Sequence, residues 1–344
     1  MNNVKTSLAG AISLGMEQGR FARGAGATCL NILLNYEEGC HANCGYCGLS
    51  AERKGSNSFI RVKWPSYPLE SIIEKISEKI SEKTGEGRHP FKRACVSMVT
   101  DSRAVDDSCA VISSFASKTD LPVSALISPT IMNGMADMRR IKEAGADRIG
   151  VAVDTATRPL FNSLRGEGVG GPHKWERYFK ALEEAVSVFG EYKAGVHLIV
   201  GLGETEKEMV SLIGECHEMG ALTHLFSFYP EQGSLLENHK RPSLGHYRRV
   251  QLARYLINES LAKCADFTFS PAGEIVDFGT DIHPFIEKGI PFMTSGCPGR
   301  DGFMACNRPF SNERPSEPIR NFHFMPNDDD KKDIAAQFWE GVST

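Results

Sequence analysis

The chain has 344 residues, 41% of them hydrophobic and 24% charged, with 33 glycines and 17 prolines, a composition that rules out a disordered, collagen-like or coiled-coil chain. Lys+Arg of 39 against Asp+Glu of 43 gives a net charge of −4, too near neutral for nucleic acid or an anionic membrane to be the default partner. No apolar run approaches the roughly 18 residues of a membrane span, and ten cysteines fall well short of a disulfide scaffold.

Residues 1–26 hold an apolar stretch from Leu8 to Met16, preceded by Lys5. Glu17, Arg20 and Arg23 follow without a small-residue cleavage site, so a short N-terminal helix packed on the domain is expected rather than a signal peptide. The expected compartment is the cytoplasm, where reduced thiols serve as metal ligands or catalytic groups. Apolar strand-like runs then alternate with helical segments. Strands are expected at 28–34, 93–99, 122–127, 147–153, 194–201, 223–228, 266–270 and 290–293. Leu69, Ile72, Ile73, Ile76 and Ile80 mark one amphipathic helix face, Trp175, Phe179, Leu182, Ala185, Val186 and Phe189 a second, and Tyr247, Val250, Leu252, Leu256 and Leu261 a third. Gly145 and Gly220 stand where helix C-caps belong. The alternation predicts right-handed βαβ units closing into a (β/α)8 TIM-type barrel over residues 27–296. Residues 297–344 lack a long periodic element and end near a charged run, Asp328 to Lys332. They are expected to form an irregular C-terminal extension over one end of the barrel.

The chemistry is concentrated in Cys40-His41-Ala42-Asn43-Cys44-Gly45-Tyr46-Cys47, directly after the first strand. Three thiolates within eight residues can converge on one inorganic centre, and three leave one metal position open where four would close it. A zinc knuckle with His41 as fourth ligand is the bland alternative. The C-x3-C-x2-C spacing, the aromatic Tyr46 and the position after strand one resemble the radical S-adenosylmethionine (SAM) superfamily. That resemblance implies a 4Fe–4S cluster held by Cys40, Cys44 and Cys47, whose open iron chelates SAM and cleaves it to a 5′-deoxyadenosyl radical. It covers about residues 25–295. Within it, Val196 to Thr205 looks like the strand-five motif, with Gly201 and Glu204 beside the adenine and His197 where glycine is common. Asp154 matches the acid that binds the SAM ribose, and Arg165 is placed to pair with the SAM carboxylate. Tyr46 completes the cofactor-binding set.

The chain is further similar to the biotin-synthase branch, whose barrel holds a second cluster. Cys95 occupies its strand-two cysteine position, but the other two cysteine positions fall on Ser124 and Gly195, which argues against biotin synthase itself. Cysteines recur instead in the tail, at Cys297 and Cys306, in a stretch resembling the two-component lipoyl synthases. The resemblance implies sulfur insertion into a protein-bound octanoyl chain, with an auxiliary 4Fe–4S cluster as sulfur source. Cys29 is the first choice for a third ligand because strands one and eight adjoin in a closed barrel, and Cys95 is the second; Ser311 or Ser316 would complete the cluster. The same resemblance implies an octanoylated lipoyl domain or H-type protein as substrate, a paralogous partner subunit and an electron donor of the ferredoxin or flavodoxin type. Neither nucleic acid nor membrane is an expected partner. Carbon-skeleton rearrangement and cluster maturation are the competing radical reactions, and a non-enzymatic iron–sulfur or zinc module is the last alternative. Arg300, Arg308, Arg314 and Arg320 either meet an acidic carrier or phosphate, or tie the tail to the barrel. Cys109, Cys216 and Cys264 are expected to be small buried apolar groups.

Overall fold

The computed structural model of the chain describes residues 2–53, 58–81 and 90–342, and the Ile80 side chain lies outside the described residues. The chain starts as a strand, β1 (Asn3–Thr6), and a helix, α1 (Leu8–Ser13), whose cap Ser7 accepts a hydrogen bond from the Gly10 amide. β2 (Cys29–Leu34) is followed by a long loop, the small hairpin β3 (Ser58–Phe59) and β4 (Val62–Lys63), the strand β5 (Ser66–Pro68) and α2 (Leu69–Ser81). Five further β/α units succeed it. They are β6 (Arg93–Ser97) with α3 (Ala104–Lys118), β7 (Val123–Ile127) with α4 (Met135–Glu143), and β8 (Ala146–Asp154) with α5 (Arg158–Leu164) and α6 (Trp175–Phe189). β9 (Ala194–Val200) with α7 (Glu206–Glu218) and β10 (Ala221–Ser227) with α8 (Leu244–Asn258) complete the set. Beyond them lie the hairpin β11 (Thr268–Phe269) and β12 (Ile275–Asp277), then α9 (His283–Lys288), α10 (Arg308–Ser311) and α11 (Asp328–Gln337).

One eight-stranded sheet runs in the order β10-β9-β8-β7-β6-β2-β1-β5. The six strands from β10 to β2 pair in parallel, whereas β1 joins β2 antiparallel and β5 joins β1 antiparallel. Strands β2 and β6 are buried throughout, as expected where helices cover a parallel sheet. The α/β barrel class therefore stands, with a different membership from the one expected. The 266–270 run forms a separate hairpin with β12, turned by Pro271 and Gly273. The 290–293 run is a 3-10 turn, because Pro291 has no amide for a ladder and Gly289, at φ +74°, turns the chain just before it.

The place of those two strands is taken by the tail. Met293 bridges Phe322, the Leu225 amide of β10 donates to Ser295 Oγ at 3.3 Å, and the Thr28 amide beside β2 donates to Asn307 Oδ1 at 3.0 Å. The extension thus spans from the β10 edge to the start of β2 instead of covering one end. Its side chains Ala305, Phe310 and Phe322 are buried, as is Phe292 just before it. The charged run from Asp328 to Lys332 is the first half of α11, capped by Asn327, with Ile334 and Phe338 buried beyond it and Asp330 paired with Arg23 at 2.6 Å.

Candidate active site

At the C-terminal ends of the parallel strands a cavity encloses about 1280 Å³ of space, its open mouth included. This is the end at which α/β barrels gather their functional groups. The loop after β2 delivers Cys40, Cys44 and Cys47 to its wall. Backbone contacts pin that loop: the His41 amide donates to Thr100 O at 2.9 Å, and the Gly45 amide to Leu164 O at 2.8 Å. Two sulfurs also accept amide hydrogen bonds, Cys40 from Thr100 at 3.4 Å and Cys47 from Leu49 at 3.3 Å. Burial pushes the Cys44 and Cys47 thiols up, neighbouring sulfurs push in the same direction, and Arg165 pulls Cys44 back. Three gathered thiolates in such a place need a cationic centre to stay ionised, and the amide–sulfur bonds are the contacts such a centre's ligands take. The donor set fits an iron–sulfur cluster. The His41 ring is instead exposed, 3.9 Å from Asp101.

Asp154 ends β8 with φ +66°, a conformation uncommon outside glycine and often found at functional sites. Its Oδ2 accepts the Tyr46 hydroxyl at 2.5 Å and lies 3.4 Å from Arg165 Nη1. Arg165 is buried. Its Nη1 donates to Ala152 O and Val153 O, its Nη2 to the Tyr178 hydroxyl at 3.2 Å, and its guanidinium sits 5.2 Å from the Phe161 ring and 4.8 Å from the Tyr178 ring. Its Nε is buried without a partner. Burial pushes the Tyr46 phenol up, so it stays a donor. His173 stands behind Arg165; burial first and then that arginine press it down to about 3, which keeps it neutral.

Gly201 and Glu204 shape the β9–α7 turn. The Glu204 carboxylate accepts the Gly201 amide at 2.6 Å and the Leu202 amide at 2.9 Å. Gly201 has φ +103°, and a Cβ there would lie 2.5 Å from the Pro242 ring. Neither residue lines the cavity. Burial raises Glu204 to about 7, against three backbone amides that lower it.

Deeper in the barrel Arg308, from the tail, is almost wholly buried. Its Nε donates to Asn31 Oδ1 at 2.7 Å and its Nη2 to Ser97 Oγ at 2.9 Å, with Cys95 Sγ at 3.9 Å. Below it Cys29, at the start of β2, Cys95 of β6 and the tail's Cys297 and Cys306 share one neighbourhood. Cys29 and Cys306 share a hydrogen bond, which pushes Cys29 up and draws Cys306 down, with Arg308 and Arg93 also favouring the Cys306 thiolate. Cys95 acts electrostatically on Cys29 and Cys297. Burial raises Cys297 to about 12 while Arg93 opposes it. Arg93 itself forks onto Asp147 at 2.5 and 2.8 Å and donates to Pro298 O at 2.6 Å. A side chain on Gly296 would put a Cβ 2.5 Å from Cys306 Cβ, so a glycine lets the two tail segments meet.

The sequence matches the family model described as the Radical SAM superfamily over residues 34–216. The chain belongs to the radical SAM superfamily. The family implies a 4Fe–4S cluster and SAM, and this member is a radical SAM enzyme. Two solved structures share the fold. HydG, a maturase of the FeFe-hydrogenase, is 16% identical with a TM-score of 0.50, over 64% of this chain and 47% of its own. Methylornithine synthase (PylB) is 15% identical with a TM-score of 0.50, over 73% of this chain and 66% of its own. The chain thus spans about half of HydG and two thirds of PylB, and the likeness is one of fold. No curated protein matches the sequence. Among the described residues no helix is long and apolar enough to cross a membrane.

In this radical SAM barrel the expected inward row Cys29, Asn31, Leu33 holds, since Asn31 bonds Arg308 and Leu33 lines the cavity. Cys297 does not arrive on a strand eight; an irregular segment carries it back to the strand starts. Cys95, the second choice, lies with Cys29 and both tail cysteines. Its register partner is Ser124, and at Gly195 a Cβ would come within 2.8 Å of His224 Nε2. Ser311 is buried on α10, whereas Ser316 is exposed. Of the tail arginines, Arg308 and Arg320 are buried ties, and Arg300 and Arg314 are exposed. Cys216 is fully buried, with Cys109 and Cys264 partly so. Sequence reasoning missed His173 and Arg61 in the cavity wall. Nothing local marks either one, because each is brought there by packing between distant segments.

Proposed function

We propose that this radical SAM enzyme is a sulfur-inserting enzyme of the lipoyl-synthase type, acting on an octanoyl chain borne by a lipoyl domain or H-type protein. The observation that supports it is the set of four thiols, Cys29 and Cys95 buried and the tail's Cys297 and Cys306 partly buried, at the opposite end of the barrel interior from Cys40, Cys44 and Cys47. Four thiols fit an auxiliary 4Fe–4S cluster by donor chemistry, with Cys95 the fourth ligand in preference to a serine. When bound, the two clusters and SAM would supply a 5′-deoxyadenosyl radical at one end and sulfide at the other. The chain's own residues have defined tasks on this reading. Asp154, with Tyr46 and Arg165 held on it, presents an acceptor for a ribose hydroxyl. Arg308 separates the two thiol groups and sets a positive charge beside Cys95 and Cys306. The apolar wall of Leu33, Val99, Leu126 and Ile199 excludes water around an alkyl chain. A carrier would dock at the mouth and reach in with its acyl-lysine arm. A paralogous partner subunit, an electron donor of the ferredoxin or flavodoxin type and a cytoplasmic setting complete the proposal.

Mass spectrometry of an octanoylated carrier peptide after anaerobic turnover tests it. A product heavier by one sulfur atom is expected, absent with Cys297→Ala, and iron analysis is expected near eight irons per chain. An unmodified peptide despite normal SAM cleavage, or about four irons, would defeat sulfur insertion.

A further inference from the structure

At the mouth of the cavity, where β10 ends, arginines collect around one phenol ring. Arg61 and Arg241 each lie 5.1 Å from the centroid of Tyr229, and Arg314 lies 5.7 Å from it. Arg320 joins them, its Nη1 donating to Ser227 Oγ at 3.3 Å, while Arg61 Nη2 donates to the Ser227 carbonyl at 2.8 Å. The facing anions are fewer. Glu317 pairs with Arg241 at 2.5 Å. Glu313 stands 3.7 Å from Arg61 Nη1 and accepts instead from the Arg320 amide and Asn321. Glu231 is occupied by the Arg61 amide and Ser58, with Arg53 alongside. Five guanidinium groups, Arg53 included, against Glu231, Glu313 and Glu317 leave an excess of two positive charges.

The arrangement is also incompletely satisfied. The Arg61 side chain is 5% exposed, yet its Nη1 has no hydrogen-bond partner, and neither has Arg241 Nε. Buried guanidinium donors are costly to leave unpaired, and clustered guanidinium groups repel one another unless an anion lies among them. Arg61 and Tyr229 line the same cavity as Cys40, Cys44 and Cys47, so an anion held here enters by the route the substrate takes.

We propose that Arg61 and Arg241 at Tyr229, with Arg320 beside them at Ser227, form a carboxylate-binding subsite at the mouth of the catalytic cavity, engaged by an acidic side chain of the acylated carrier beside its modified lysine. The subsite stands on the arginine geometry; its occupant rests on the proposed function. Inorganic phosphate titrated calorimetrically into the reconstituted holoenzyme is expected to bind at one saturable site. Affinity is expected to fall about tenfold in Arg241→Gln and to be largely retained in Arg241→Lys, with iron content and melting temperature confirming that each variant is folded. No saturable binding, or equal affinity in the glutamine variant, overturns the subsite. Two octanoyl-lysyl peptides differing only in Asp or Asn next to the lysine identify the occupant: a preference of about tenfold for Asp, lost in Arg241→Gln, is expected. Equal affinity overturns the carrier assignment. If Arg241→Gln does not fold, competition on the wild type decides, since phosphate should displace the Asp peptide and simultaneous binding overturns the proposal. Peptides bound with the Asp preference but never sulfurated would defeat sulfur insertion while leaving the subsite intact.

Discussion

Asp154 concentrates much of the site in one side chain. It receives the Tyr46 hydroxyl and stands beside the buried Arg165, and its left-handed backbone sets the carboxylate at the strand end. Replacing it with Asn removes a charged acceptor, a contact worth about 1.5–3 kcal/mol. SAM affinity of reconstituted Asp154→Asn enzyme, read by calorimetry, is therefore expected to drop at least tenfold. Unchanged affinity would reduce Asp154 to an anchor for Tyr46 and Arg165. The three cysteines of the loop were legible as a site because ligands packed within eight residues converge whatever the surrounding fold. Arg165 was legible as a loop arginine for the SAM carboxylate, but its burial was not. Its burial depends on Phe161 of α5 and Tyr178 of α6, whose rings flank the guanidinium.

The tail behaves as a structural element despite its irregular backbone. Lacking periodicity, it is held by single side chains: Asn307 to Thr28 and Gly26, Arg248 to the carbonyls of Ile319 and Arg320, and Ser295 to β10. Contacts of this kind have no signature in a sequence, whereas six β/α units announce themselves by repeated apolar runs. Pro291 was the one local warning that the last expected strand would not form. The meeting of Cys297 and Cys306 depends on Gly296, where an added methyl would overlap Cys306. On the proposed two-cluster reading, Gly296→Ala is expected to displace Cys306 and lower the iron of the reconstituted protein from about eight to about four per chain, while SAM-cleaving activity persists. Full iron incorporation would show that the tail yields without releasing its ligands.

Taken whole, the molecule buries many groups that titrate near neutrality. Burial depresses His173 and His224 to about 3 and His246 and His323 to about 4, and it lowers His197 as well. A histidine kept neutral in the fold binds protons more readily once unfolded, so its contribution is intact above pH 6.5 and is lost as pH falls toward the folded value. At pH 5 the loss is about 2 kcal/mol each for His173 and His224. Glu204, raised to about 7 by burial, runs the other way: its contribution is full below about pH 4.5 and fades as pH rises through 7. Glu206 and Glu313 are raised as well. Five histidines outweigh three glutamates, so the urea midpoint is expected to fall between pH 7 and pH 5. A midpoint that holds or rises would mean the histidines are protonated in place.

By itself the sequence determined the α/β class, the placement of the parallel strands and the cluster-binding loop, because each is encoded by neighbours: periodicity for strands and helices, a fixed spacing for ligands. Which residues stand together across the barrel was decided by folding. Cys29, Cys95, Cys297 and Cys306 come from three separate parts of the chain. Arg61 and Arg320 meet at Ser227 from opposite ends of it. Such proximity is set by strand register and by a tail threaded from β10 to β2, and no local pattern records either.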